Sequence, residues 1–156
     1  MIAILHNIRS LYNVGSMFRT AEGAGVEKLY LCGITPTPVD ILGSARQPLA
    51  KVALGAETMV PWEYRKSTTL LINNLKKRGY KVYAIEQDKR SVSYSSAIKD
   101  SSDKIALMVG HEVEGLPKTI VDKADVILEI PMYGKKESLN VSVAFGIIAY
   151  ELCRKK

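Results

Sequence analysis

The chain has 156 residues, 47% of them hydrophobic, which suits one domain spanning 1–156 with a full core. Lys and Arg number 22 against 16 Asp and Glu, a formal +6 that favours a polyanionic partner and a charged surface. Two distant cysteines, Cys32 and Cys153, exclude a disulfide framework and a Cys-rich zinc site. The start lacks a charged leader and no apolar run approaches membrane-spanning length, so a soluble, cytoplasmic chain is expected.

Short apolar runs alternate with helical spacing along the chain. Ile2 to Leu5, Lys28 to Cys32, Lys81 to Ile85, Ile105 to Val109 and Val126 to Ile130 read as buried strands. Val14, Met17, Phe18 and Ala21 share one helical face. Leu70, Leu71 and Leu75 share another before a stop at Gly79, and Val141, Ala144, Phe145, Ile148 and Leu152 a third. Strand and helix in alternation predict an α/β fold with a parallel sheet covered by helices on both faces. Residues 33–61 break periodicity at Pro36, Pro38, Gly43, Pro48 and Gly55. With Arg46 and Lys51 they read as an RNA-contacting excursion or a surface insertion. The serine-rich stretch 91–102 has room for a small helical piece around Ala97 and Ile98.

Several familiar signatures fail. Gly23-Ala24-Gly25 starts a dinucleotide pattern, but Lys28 stands in place of its third glycine. Gly110 and Gly115 have phosphate-loop spacing, yet Leu116-Pro117 replaces the required Lys and Ser or Thr. His111-Glu112 opens like a zincin motif, but Gly115 occupies the second His position, so no metal is expected. What remains is a set of strand-end loops beginning at Asn7, Gly110 and Ile130. The carboxyl ends of parallel strands are where open α/β sheets bind ligands. Spacing alone leaves a nucleotide, a cofactor or plain turns open.

Three segments carry a resemblance to a family. They are Asn7-Ile8-Arg9 with Asn13-Val14-Gly15 and Arg19-Thr20-Ala21; Gly110-His111-Glu112-Val113-Glu114-Gly115-Leu116-Pro117; and Ile130-Pro131-Met132 leading to Ser138-Leu139-Asn140-Val141-Ser142-Val143-Ala144. In this order they resemble the motifs of SpoU/TrmH-type RNA ribose methyltransferases of the SPOUT superfamily, over nearly the whole chain. The resemblance implies a deep C-terminal trefoil knot with S-adenosylmethionine (AdoMet) bound bent within it. It also implies a homodimer built on the first-motif helix and the closing helix, Asn140 to Arg154. The matching cofactor positions are Ile85, Gly110, Ile130, Met132, Ser138 and Leu139, with Ile130 and Leu139 expected to sandwich the adenine.

The same resemblance puts Asn13, Arg19, Glu112 and Asn140 around the acceptor oxygen, with Ser138 helping to hold the geometry. Arginine stays protonated in proteins, so Arg19 is expected to stabilise a developing alkoxide and a neighbouring phosphate rather than remove a proton. Glu112 is expected to orient Arg19 or to accept the proton through water. Asn13 also reads as the cap of a helix starting at Val14. Arg9 is expected to bind the RNA backbone. Many relatives carry an N-terminal RNA-recognition domain; none is expected here, so the catalytic surface is expected to select the target, which favours a tRNA or a local rRNA hairpin. The rival readings are a SPOUT-type base methyltransferase and a non-catalytic RNA-binding module.

Overall fold

The structure is a computed structural model that describes residues 1–97 and 104–154. Within them β1 (Ile2–His6), β2 (Lys28–Cys32), β3 (Trp62–Arg65), β4 (Lys81–Ile85), β5 (Val92–Ser93), β6 (Ile105–Val109) and β7 (Val126–Glu129) form one sheet. Their order is β3-β2-β1-β6-β4-β7-β5, and every described pairing is parallel. Strands buried on both faces are nearly continuous apolar runs, and β1 and β6, at the centre, are buried throughout, with His6 at the end of β1 hydrogen-bonded to Thr68.

Alternation along the strands sorts the core into two layers. Ala3, Leu5, Leu29 and Leu31 face α1 (Leu11–Ala24), α2 (Gln47–Ala53), α3 (Ala56–Met59) and α7 (Val141–Cys153). Ile2, Ile4, Tyr30 and Cys32 face α4 (Thr68–Lys77) and α6 (Lys118–Val121). Phe18 and Phe145 are fully buried where α1 meets α7. Fully burying one such ring stabilises the fold by roughly 1.5–3 kcal/mol. The expected parallel α/β sheet with helices on both faces is therefore the fold observed.

Differences from the sequence reading have local causes. The irregular stretch 33–61 contains α2, with Pro48 in its first turn where a missing N–H costs nothing, and α3. Two short edge strands, β3 and β5, escaped notice because an edge strand lacks a continuous apolar run. The face of α4 is Leu71, Ile72 and Leu75, and Leu70 lies 69% exposed. Helix α1 starts at Leu11, not Val14. Its cap is Ser10, whose hydroxyl accepts from the Asn13 amide at 3.3 Å, so Asn13 sits inside the first turn. Phe145, Ile148 and Leu152 are buried within the chain itself and form no surface stripe. The helical piece α5 (Tyr94–Ala97) exists, while Ile98 lies outside the described residues.

Strand β7 lies between β4 and β5, with Leu128 paired to Ile85 on one side and Val92 on the other. Residues 86–91, which join β4 to β5, therefore arch across the carboxyl end of β7. Glu86 N donates to Leu128 O at 3.1 Å, and the Ser91 hydroxyl donates to Glu129 at 2.7 Å. After β7 the chain continues to α7.

Candidate active site

A cleft of about 340 Å³ opens at the carboxyl ends of β4, β6 and β7. Ile85, Gly110, Ile130, Met132, Ser138 and Leu139 all line it. Ile85, Ile130 and Leu139 give it apolar walls, and Leu139 is still 38% exposed, which leaves surface for a ligand to cover. Its charged lining is one-signed: Glu86, Glu112, Glu114, Glu129 and Glu137 contribute, and among the described residues no Lys or Arg does. Such a lining favours a ligand that carries positive charge.

Gly110 is required by the fold of the loop. A Cβ there would lie 2.5 Å from the Gly115 carbonyl carbon and 2.6 Å from the Leu116 nitrogen, far inside contact distance. The 110–116 loop thus closes on its own backbone, with His111 and Gly115 exchanging two hydrogen bonds of 3.2 and 2.9 Å. Gly115 adopts φ 66°, the left-handed region, and its hydrogen side faces the Glu86 carboxylate. Glu86 accepts from the Leu116 amide. Burial pushes the Glu86 carboxyl above its usual range, and bonds from the Leu116 and Gln87 amides offset only part of that.

Glu112 ties the three motif segments together. Its carboxylate accepts from the Arg9 amide at 3.0 and 3.1 Å, the Ser10 amide at 2.9 Å and Asn13 Nδ2 at 3.1 Å. Asn13 Oδ1 in turn accepts from Asn140 Nδ2 at 3.2 Å. Asn140 Oδ1 caps α7 by accepting from the Ser142 amide at 2.8 Å. Burial opposes ionisation of Glu112, but the amides of Arg9 and Ser10 and the Asn13 side chain outweigh it and hold the carboxyl below its usual range.

The remaining expected residues sit elsewhere. Arg19 is exposed on α1 and does not line the cleft of its own chain. Within one chain Glu112 bonds Arg9, Ser10 and Asn13 and not Arg19, because the loop after β1 delivers its amides to that carboxylate. A carboxylate so occupied, with its affinity for protons lowered, is a weak proton acceptor. Arg9 is exposed beside the cleft's rim, its amide on Glu112. Arg46 stands at the cap position of α2 with its Nε buried, and Lys51 is exposed in the same helix. Sequence reasoning missed Glu86 and Gln87, although both directly follow the third apolar run, where the rule for strand ends applies equally. Among the described residues no group of three or more His, Cys, Asp or Glu is placed to hold a metal ion.

The profile of the SpoU rRNA Methylase family matches residues 1–150. The chain belongs to this family. A TrmH family tRNA/rRNA methyltransferase from Staphylococcus haemolyticus is 32% identical over 155 residues, 99% of this chain and 59% of that protein. The chain thus spans about three fifths of the length of the curated relatives it matches. Among solved structures, the AdoMet-bound rRNA methyltransferase from Sinorhizobium meliloti superimposes with a TM-score of 0.86 at 27% identity. That match covers 99% of this chain and 56% of the other. A protein solved to explain 2-OH methylation of C/U34 on tRNA superimposes with a TM-score of 0.82 at 27% identity, covering 98% of this chain and 93% of the other.

Proposed function

We infer that this SpoU-family chain transfers a methyl group from AdoMet to a ribose 2′-hydroxyl of tRNA. The observation that carries the reading is the cleft, bounded by all six expected cofactor positions and tied by Glu112, Asn13 and Asn140 to the first and third motifs. AdoMet fits it chemically: the apolar side chains of Ile130 and Leu139 in the lining suit adenine, and the carboxylates there suit a sulfonium and an ammonium. When bound, AdoMet supplies an electrophilic methyl. The segment 86–91 arching over β7 supports the trefoil knot as the topology that holds this cleft.

Asn13 and Asn140, bonded to each other at the first turns of α1 and α7, hold the acceptor ribose, and Ser138 orients it from the cleft wall. Arg19 stabilises the negative charge that develops on the 2′-oxygen as its proton leaves for solvent water. Arg19 lies outside its own cleft, so we read it as contributed across a homodimer. Exposed Tyr12 on α1 and exposed Val143 and Tyr150 on α7 give those helices the apolar face a second copy needs. Arg9, Arg46 and Lys51 contact the RNA backbone in this reading. An RNA substrate fits a cytoplasmic protein; among the described residues no helix is long and apolar enough to cross a membrane.

The near-complete overlap with the C/U34 protein makes a tRNA with a pyrimidine at position 34 the first substrate to test. Incubation with AdoMet followed by nucleoside mass spectrometry should find a 2′-O-methylated pyrimidine. A transcript with a 2′-deoxy pyrimidine at position 34 should stay unmodified. A methyl group recovered on a base would instead establish the base-methylating alternative.

A further inference from the structure

A second concavity, about 810 Å³, lies on the other side of β1 from the cleft. Its walls are the carboxyl ends of β1, β2 and β3 and one face of α4, where Ser67, Leu71, Asn74 and Arg78 recur at three- or four-residue spacing. At ~1.5 Å per residue that face runs roughly 16 Å, so the concavity is a groove rather than a socket.

Its charge is the reverse of the cleft's. Arg65 and Lys66 stand at one end of the α4 face and Arg78 at the other, and among the described residues no Asp or Glu lines the groove. Glu63, outside it, pairs with Arg65 and with Lys28, so Lys66 and Arg78 carry most of the groove's available charge. The hydroxyls of Ser67, Thr68 and Thr69 add neutral hydrogen-bonding groups.

The floor is fixed. His6 Nδ1 and Thr68 Oγ1 lie 2.7 Å apart, and Asn7 Nδ2 meets His6 Nε2 at 3.2 Å. Asn7 Oδ1 accepts from the Ile34 amide at 3.1 Å, with Asn7 at φ 55°. The segment fastened here continues through Ile8 to Arg9 and Ser10, whose amides end on Glu112 at the cleft. Groove and cleft are thus held at the two ends of one short stretch of backbone. β2 and β6 are two strand spacings apart, ~10 Å, about three stacked nucleotides at ~3.4 Å each.

We propose that this groove is a second nucleic-acid site, holding the phosphodiester backbone of the RNA segment that flanks the nucleotide in the cleft. The proposal rests on the RNA-methylating reading and adds a site to it. A free phosphate would engage one end of the groove, whereas a nucleic-acid strand reaches cations at both.

The test compares wild type with a Lys66→Ala/Arg78→Ala double variant. Circular dichroism and AdoMet titration should be unchanged, since neither residue lines the cleft. Affinity for the tRNA should fall at least ~10-fold at low salt. The slope of log affinity against log salt should flatten by about 1.4, two lost contacts at ~0.7 each for a single strand. Unchanged affinity and slope, with wild-type methyl transfer intact, would overturn the groove alone. A wild type that binds no tRNA would overturn the groove together with the function it rests on. Inorganic phosphate, titrated separately, distinguishes the remaining case. Phosphate binding lost in the double variant while tRNA affinity holds would make this a small-anion site and refute the proposal.

Discussion

Replacing Glu112 by Gln separates an anchor from a proton acceptor. The carboxylate accepts three donors, the amides of Arg9 and Ser10 and the side chain of Asn13. Hydrogen bonds to a charged group contribute ~1.5–3 kcal/mol each, about twice the neutral kind, and a Gln oxygen keeps only neutral bonds. Halving three such bonds, then discounting for partial solvent exposure, leaves a loss of ~2 kcal/mol at pH 7, or about 4–8 °C in melting temperature for a domain of this size. The folded carboxyl is held below its usual value near 4.5, so its contribution is full above that value and disappears as pH falls through the lower, folded one. Thermal melts from pH 7 down to pH 3 should therefore show the gap between wild type and variant closing below about pH 4.5. Single-turnover methyl transfer should drop by a factor that stays constant from pH 6 to 9, because what is lost is the placement of Asn13. A rate deficit that narrows as pH climbs, or a variant as stable as wild type, would refute the anchoring argument and return Glu112 to proton transfer.

Gly110→Ala places a Cβ against the Gly115 and Leu116 backbone, so overpacking of ~1–3 kcal/mol should appear in denaturant melts, with AdoMet affinity reduced in calorimetry. Arg19→Lys keeps the charge and loses the planar fork; single-turnover transfer should fall ~10² while AdoMet affinity holds, and an unaffected rate would remove Arg19 from the chemistry. Asn140→Ala removes the cap of α7 and the partner of Asn13, costing ~1 kcal/mol in stability. Its transfer rate should fall further than its melting temperature suggests, and a rate that merely follows stability would confine Asn140 to capping.

The parallel sheet was legible from the amino-acid pattern, because Ile2 to Leu5 and Ile105 to Val109 are unbroken apolar runs, as strands covered on both faces require. Spacing pointed to loops at the strand ends and no further; the positions that line the cleft came from the resemblance of the three motif segments to SpoU/TrmH-type enzymes. The pattern could not show β3 or β5, whose short edge runs lack the pattern of buried strands, nor the start of α1, where Ser10 and Asn13 are equally good caps until the hydrogen bond is seen. Tertiary structure decided which donors reach Glu112: Arg9, Ser10 and Asn13 lie about a hundred residues before it and meet it only because β1 and β6 pair in parallel. The same pairing made an anchor of a residue whose type and position suit a base equally well. Charge shows the limit most clearly. Composition gives one net value for the whole chain, whereas folding separates it into an acidic cleft on one side of β1 and a basic groove on the other, because strand order is not sequence order.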